Sequence, residues 1–232
     1  EEAHHMFIGE SGVGRIVQRT CELMKEYNTY DVREYGGIDL PTLQKYLNFH
    51  FSVSTDLFGQ EISTNAATYY NTSLKGRLDE AKINDDHYLH DQSYPVFQVS
   101  EGNIVLNQYP ALNAINERLR DDYIADCDLG IRRWNKIIEN SGHEFSFELP
   151  HRAFNRNIGH FSNINTNPEG RIISQQEWEK RRDEWLPSES DQSYIQSLMK
   201  PVTEPGKIAG WIAPPKGRIN RHSFEFEYVR FN

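Results

Sequence analysis

The most constraining feature of the chain is its opening run, Glu1-Glu2-Ala3-His4-His5-Met6, which leads without a break into a long helical pattern. The run holds two overlapping E-x-x-H pairs, Glu1/His4 and Glu2/His5. Residues three apart share a helix face, so each pair sets a carboxylate and an imidazole within reach of one metal ion. Carboxylate-bridged di-iron and di-manganese bundles use two such pairs together with single Glu residues from other helices. Oxygen and nitrogen donors with open positions suit an iron that must bind dioxygen. The run carries no Ser, Thr, Asp or Asn cap ahead of it, so it reads as the inside of a helix and the chain as a C-terminal fragment.

Periodicity extends this helix to about residue 27. Met6, Val13, Ile16, Val17 and Met24 fall on or near one stripe, with Gly9 and Gly12 on the same side. Arg15, Arg19, Glu22 and Glu26 fall mainly away from it. Motif spacing alone also fits an exposed turn bearing surface charge. The phase of the stripe separates the two pairs: Glu2 and His5 continue the apolar side, whereas Glu1 and His4 continue toward Arg15 and Arg19. A buried Glu and His need partners, and a metal is an efficient one. Glu2 and His5 are therefore the expected metal ligands. The glycines Gly9, Gly12 and Gly14 lack the strand and Lys-Ser/Thr context of a phosphate loop, and read as sites of close helix packing.

Asp39-Leu40-Pro41 starts a second helix, with Pro41 in the first turn where a missing N–H costs nothing. Helical character continues to about Lys75, with Gly59 marking a kink or a close contact and Gly76 suiting the stop. Ser63-Thr64-Asn65 on it fits either a site-facing position or an ordinary polar face. A polar stretch from Ile83 to Gln92 follows. The spacing predicts a β-hairpin from Val96–Val99 and Ile104–Leu106 about Glu101-Gly102-Asn103. A helix is expected from Ala111 to Gly142 and a short strand over Phe145–Leu149. Ser174-Gln175-Gln176-Glu177 has capping-box spacing, and a last helix is expected from Ser190 to Met199. The proline-rich tail over 201–215 reads as extended. The fold class is mainly α, with small β additions in the second half.

Composition excludes several functions. A net charge of -9 is the wrong sign for most nucleic-acid binders. Lys200, Lys207, Lys216, Arg218 and Arg221 read as solvated surface charge. No apolar run approaches a membrane span and no signal-peptide pattern opens the chain. Two cysteines, Cys21 and Cys127, both in helical stretches, fit buried thiols in a reducing cytoplasm rather than a disulfide frame. His50, His87, His90, His143, His151, His160 and His222 are scattered and read as structural or surface residues.

Long blocks carry a resemblance: Glu1 to Glu22, Asp56 to Arg77, Leu119 to Ile137, Lys200 to Pro215, and Phe226-Glu227-Tyr228-Val229-Arg230. Together they resemble the oxygenase components of benzoyl-coenzyme A epoxidases. Phenylacetyl-coenzyme A epoxidases are more distant and share the site logic. The resemblance implies a ferritin-like bundle over residues 1–78, in C-terminal part, with a mixed α/β extension over 79–232 wrapping it. It implies a di-iron centre with Glu2 and His5 as ligands and the remaining ligands upstream of Glu1. The implied reaction forms the 2,3-epoxide of benzoyl-coenzyme A from O₂ in aerobic benzoate degradation. Electrons come from a separate NADPH-dependent flavin and iron-sulfur reductase. A metal-storage ferritin-like protein and a non-catalytic small-molecule-binding module are the other classes the residues allow.

Overall fold

In the computed structural model the described residues are 2–63, 65, 93–215 and 225–231, without the side chains of Glu2, Ala3 and Met6. Helix predominates, as the periodicity predicts. The elements are α1 (Glu2–Tyr27), α2 (Leu40–Asp56), β1 (Ser93–Ser100), β2 (Asn103–Pro110), α3 (Ile115–Asn140), α4 (Gln175–Trp185), α5 (Glu189–Leu198), β3 (Lys207–Ala209) and β4 (Glu227–Val229). They fall into two compact units built from non-consecutive stretches. The first comprises residues 1–47, 128–148 and 183–232, and the second 48–127 and 149–182. The expected boundary at 78/79 lies outside the described residues.

In the first unit, α1 is a single helix that ends where Asn28 takes a positive φ of 50°. Thr29 N–H then donates to Met24 O at 3.2 Å, which closes the last turn as a Schellman motif. Its buried side differs from the expected stripe. Gly14, Val17, Thr20, Cys21, Leu23 and Met24 are buried, whereas Gly9 is exposed and Val13 and Ile16 are half-buried. Arg19, placed outside the stripe on sequence grounds, is only 7% exposed. Its Nε donates to Gly210 O at 3.0 Å and its guanidinium lies 3.9 Å over the Tyr228 ring. A long cation can be covered when its charge is satisfied in this way, and polarity alone does not reveal it. The tail held by Arg19 is the proline-rich segment, and β3 within it pairs in parallel with β4.

Helix α2 begins as expected: the Asp39 carboxylate accepts from Thr42 N–H at 2.8 Å. It stops at Asp56, well short of Lys75. Gly59 takes φ +80° and its N–H returns to Asp56 O at 3.0 Å. The Asp56 carboxylate is held by the Arg156 guanidinium and by Asn157 N–H at 2.9 Å, which secures the stop. The rest of the expected helix, from residue 66 on, falls outside the described residues.

In the second unit, β1 and β2 form the expected hairpin, in register from Ser93↔Pro110 to Ser100↔Asn103. Glu101 and Gly102 both take positive φ, 50° and 77°, as a twist-matched two-residue turn requires. Helix α3 starts at Ile115 rather than Ala111 and ends before Gly142, at φ +80°. Phe145–Leu149 joins no ladder. Asn135 takes the place of a neighbouring strand: its side-chain amide donates to Phe147 O at 2.9 Å and accepts from Phe147 N–H at 2.7 Å. Ser174 caps α4 through Glu177 N–H, and Ser188 with Asp191 forms a capping box on α5.

Candidate functional site

Glu2 and His5 both lie in the first turns of the continuous helix α1, three residues apart and so on one face. His4 and His5 are exposed, as are Phe7 and Ile8 at 66% and 53%. Burial therefore does not separate His5 from His4 in the way the apolar stripe suggested. What α1 provides instead is an anchor. From Gly14 onward the helix is packed, and Arg15 and Arg19 tie it to the tail through Ala213 O at 2.7 Å and Gly210 O at 3.0 Å. Among the described residues, no group of three or more His, Cys, Asp or Glu is arranged to hold a metal ion.

The second unit holds a buried charge cluster that sequence reading missed. Glu61, Glu117 and Arg120 are fully buried, Arg156 is 4% exposed and Asp56 9%. Arg120 pairs with Glu117, and its Nε and Nη2 donate to Thr55 O at 3.2 Å and Gly59 O at 2.6 Å. Arg152 Nη1 donates to Glu117 Oε1 at 2.6 Å and lies 2.5 Å from Asp121 Oδ1. Arg156 Nη2 lies 3.3 Å from Glu61 Oε1, and Glu61 Oε2 accepts from His160 N–H at 2.7 Å. Three carboxylates at such depth, Asp56, Glu61 and Glu117, would invite a metal reading. Each instead faces a guanidinium, and a carboxylate so neutralised is not available as a ligand. The cluster fixes the chain after α2 to α3, a task reinforced by Asn116, whose amide donates to Gln60 O at 2.9 Å. The one legible trace was the Glu117, Arg120, Asp121 spacing, which places all three on one face of α3.

The environment shifts several groups. Burial and then the hydrogen bond to Asp121 push the Tyr94 phenol up to about 12. Burial and the neighbouring Arg152 charge hold His151 below the usual imidazole range, and its Nδ1 accepts from Ala153 N–H at 3.1 Å. His151 is therefore a neutral structural residue, as expected from sequence. His143 Nε2 lies 3.4 Å from Cys21 O, and His160 Nδ1 lies 3.4 Å from Phe97 O. His50 is exposed beside Phe49. His87, His90 and His222 lie outside the described residues. Cys21 is buried and Cys127 half-buried; both are free thiols raised by burial.

No family model matches the chain. Over its whole length the chain is 55% identical to benzoyl-CoA oxygenase component B of Aromatoleum evansii. The match takes in 50% of that protein, so the chain spans about half the length of the relative. No helix among the described residues is long and apolar enough to cross a membrane. An identity of 55% over the whole chain places this protein in the benzoyl-CoA oxygenase component B family.

Proposed function

We propose that the protein is the oxygenase subunit of an aromatic acyl-coenzyme A epoxidase, with benzoyl-coenzyme A and O₂ as its substrates. The observation that carries this reading is the 55% identity over the whole chain to a benzoyl-CoA oxygenase component. The cofactor is a di-iron centre within a ferritin-like bundle, and Glu2 and His5 are two of its ligands. The donor set on α1 fits that role in part: one carboxylate and one imidazole, three residues apart on an unbroken helix, are what one helix contributes to such a centre. The bound irons would supply O₂ activation, with one oxygen atom added across the 2,3 bond of the ring and the other released as water.

The chain's own residues do the positioning. Glu2 and His5 would hold metal, and the packed C-terminal half of α1 keeps their turn from drifting, since ligands must be held within fractions of an ångström. The two electrons come from a separate NADPH-dependent flavin and iron-sulfur reductase, consistent with the relative being named as one component of a larger system. The protein works in the cytoplasm.

The test uses the protein expressed from its complete reading frame, with Glu2→Gln and His5→Gln variants. Each is expected to lose bound iron by metal analysis and at least about a hundredfold in epoxide formation, more than the roughly 10–100-fold effects that supporting residues show. Wild-type iron content and turnover in both variants would sink the assignment.

A further inference from the structure

Within the first unit, a cavity of about 430 Å³ opens between the N-terminal half of α1 and the last turns of α3. Its floor is Gly14, Trp134 and Ile137, and Phe7 and Pro215 form its apolar walls. Phe7, Ser11, Gly14 and Gln18 follow the rhythm of one helix face. At 3.6 residues per turn, His5 lies roughly 160° around the helix from Phe7. The cavity is therefore on the opposite side of α1 from the ligand face, and no step of the proposed reaction uses it.

The floor is preformed. A Cβ on Gly14 would stand 3.4 Å from Ile137 Cδ1 and 3.6 Å from Trp134 Cδ1, ordinary van der Waals contact, so these two side chains pack directly against the α1 backbone. The Trp134 indole N–H donates to Glu10 O at 3.1 Å, which fixes the plane of the ring. A rigid apolar hollow with a few placed polar groups is the usual form of a small-molecule site.

The polar group is Arg15. Its Nε donates to Ala213 O at 2.7 Å, and among the described residues no carboxylate pairs with its guanidinium. The other guanidinium at the cavity, Arg133, is already paired with Glu10. Burial holds Arg15 below its ordinary range, as expected of a partly desolvated cation lacking an acidic neighbour. Among the described residues, one cation without a carboxylate partner thus lines a cavity that also holds an indole. A planar monoanion matches the guanidinium fork, and a flat ring matches the indole. A dianion would exceed the charge that the described residues supply.

We propose that this cavity is a second ligand site, for a small aromatic carboxylate, with the carboxylate on the Arg15 guanidinium and the ring against Trp134 and Ile137. The probes are benzoate, its neutral counterpart benzamide, and acetate, titrated against the purified chain by saturation-transfer NMR and tryptophan fluorescence. Benzoate is expected to bind below about 1 mM, with benzamide and acetate each about tenfold weaker or more, which corresponds to about 1.4 kcal/mol. Arg15→Gln should weaken benzoate to the level of benzamide. Ser11→Trp, at an exposed position that does not threaten folding, should fill the mouth and abolish binding. Glu2→Gln and His5→Gln should leave benzoate binding unchanged, so the site stands or falls separately from the iron centre. Equal affinity for benzoate and benzamide, wild-type binding in Arg15→Gln or Ser11→Trp, loss of binding in the Glu2 and His5 variants, or no binding of benzoate would each overturn it.

Discussion

Asp191 shows how much one side chain can concentrate. It is 3% exposed, accepts from Arg33 Nη2 at 2.5 Å and Lys45 Nζ at 3.0 Å, and closes the capping box of α5. Burial alone would raise its carboxyl. The hydrogen bonds from Arg33, Ser188 N–H and Lys45 outweigh burial and hold it well below the ordinary carboxylate range. The sign follows from that depression: its contribution is complete above the unfolded value of about 4 and is lost as pH falls toward the folded value. Asp191→Asn should therefore cost about 3 kcal/mol near neutral pH, because two cations lose their counter-charge. It should also flatten the fall in stability below about pH 4, read by denaturant titration across pH. Gly159 is a second such residue. It takes φ +83°, and a Cβ there would stand 2.0 Å from Glu61 Oε2, inside the buried charge cluster. Gly159→Ala combines backbone strain with displacement of a buried carboxylate and should cost at least about 3 kcal/mol, measured by the urea midpoint.

Among the elements, the hairpin was the most legible because alternation and a Glu-Gly-Asn turn are both local signals. Its residual weakness is local too. Glu101 sits at φ 50°, exposed, where an L-residue other than Asn or Gly pays for the left-handed region. Glu101→Asn should raise stability by about 0.5 kcal/mol, seen as a higher melting temperature with an unchanged circular dichroism spectrum. The expected strand at Phe145–Leu149 shows the opposite case. Its alternation is real, with Phe147 buried and Ser146 and Glu148 exposed. Side-chain amides satisfy it, Asn135 at Phe147 and Gln44 at Glu148, and no periodicity rule encodes that. Over residues 57–63 the expected helical character fails for a related reason: the stop at Asp56 depends on Arg156, a hundred residues away in the chain.

At the scale of the whole molecule, two of the expected metal ligands lie on one helix turn, and among the described residues no group of three His, Cys, Asp or Glu is arranged to hold a metal ion. Residues 1–232 expressed alone are therefore expected to retain little iron and form no epoxide; stoichiometric di-iron in that preparation would contradict the ligand assignment. The E-x-x-H spacing, the mainly helical character, the hairpin and the family resemblance were all legible in the chain by itself, because each rests on residues close in sequence or on long matching blocks. The face of α1 that is buried was not. Amphipathic phase counts polarity, and it placed Arg19 outside, whereas the tail folds over that side and satisfies the guanidinium with Gly210 O and the Tyr228 ring. The buried carboxylate–guanidinium cluster was equally invisible, since Asp56, Glu61, Glu117 and Arg156 are ordinary surface residues until distant segments bring opposite charges together. Sequence alone thus determined which chemistry the first helix turn can hold, because that depends on donor type and a three-residue spacing. Only the tertiary structure decided which charges are buried, because the cost of burying a charge is offset by partners that are neighbours in space and not in sequence.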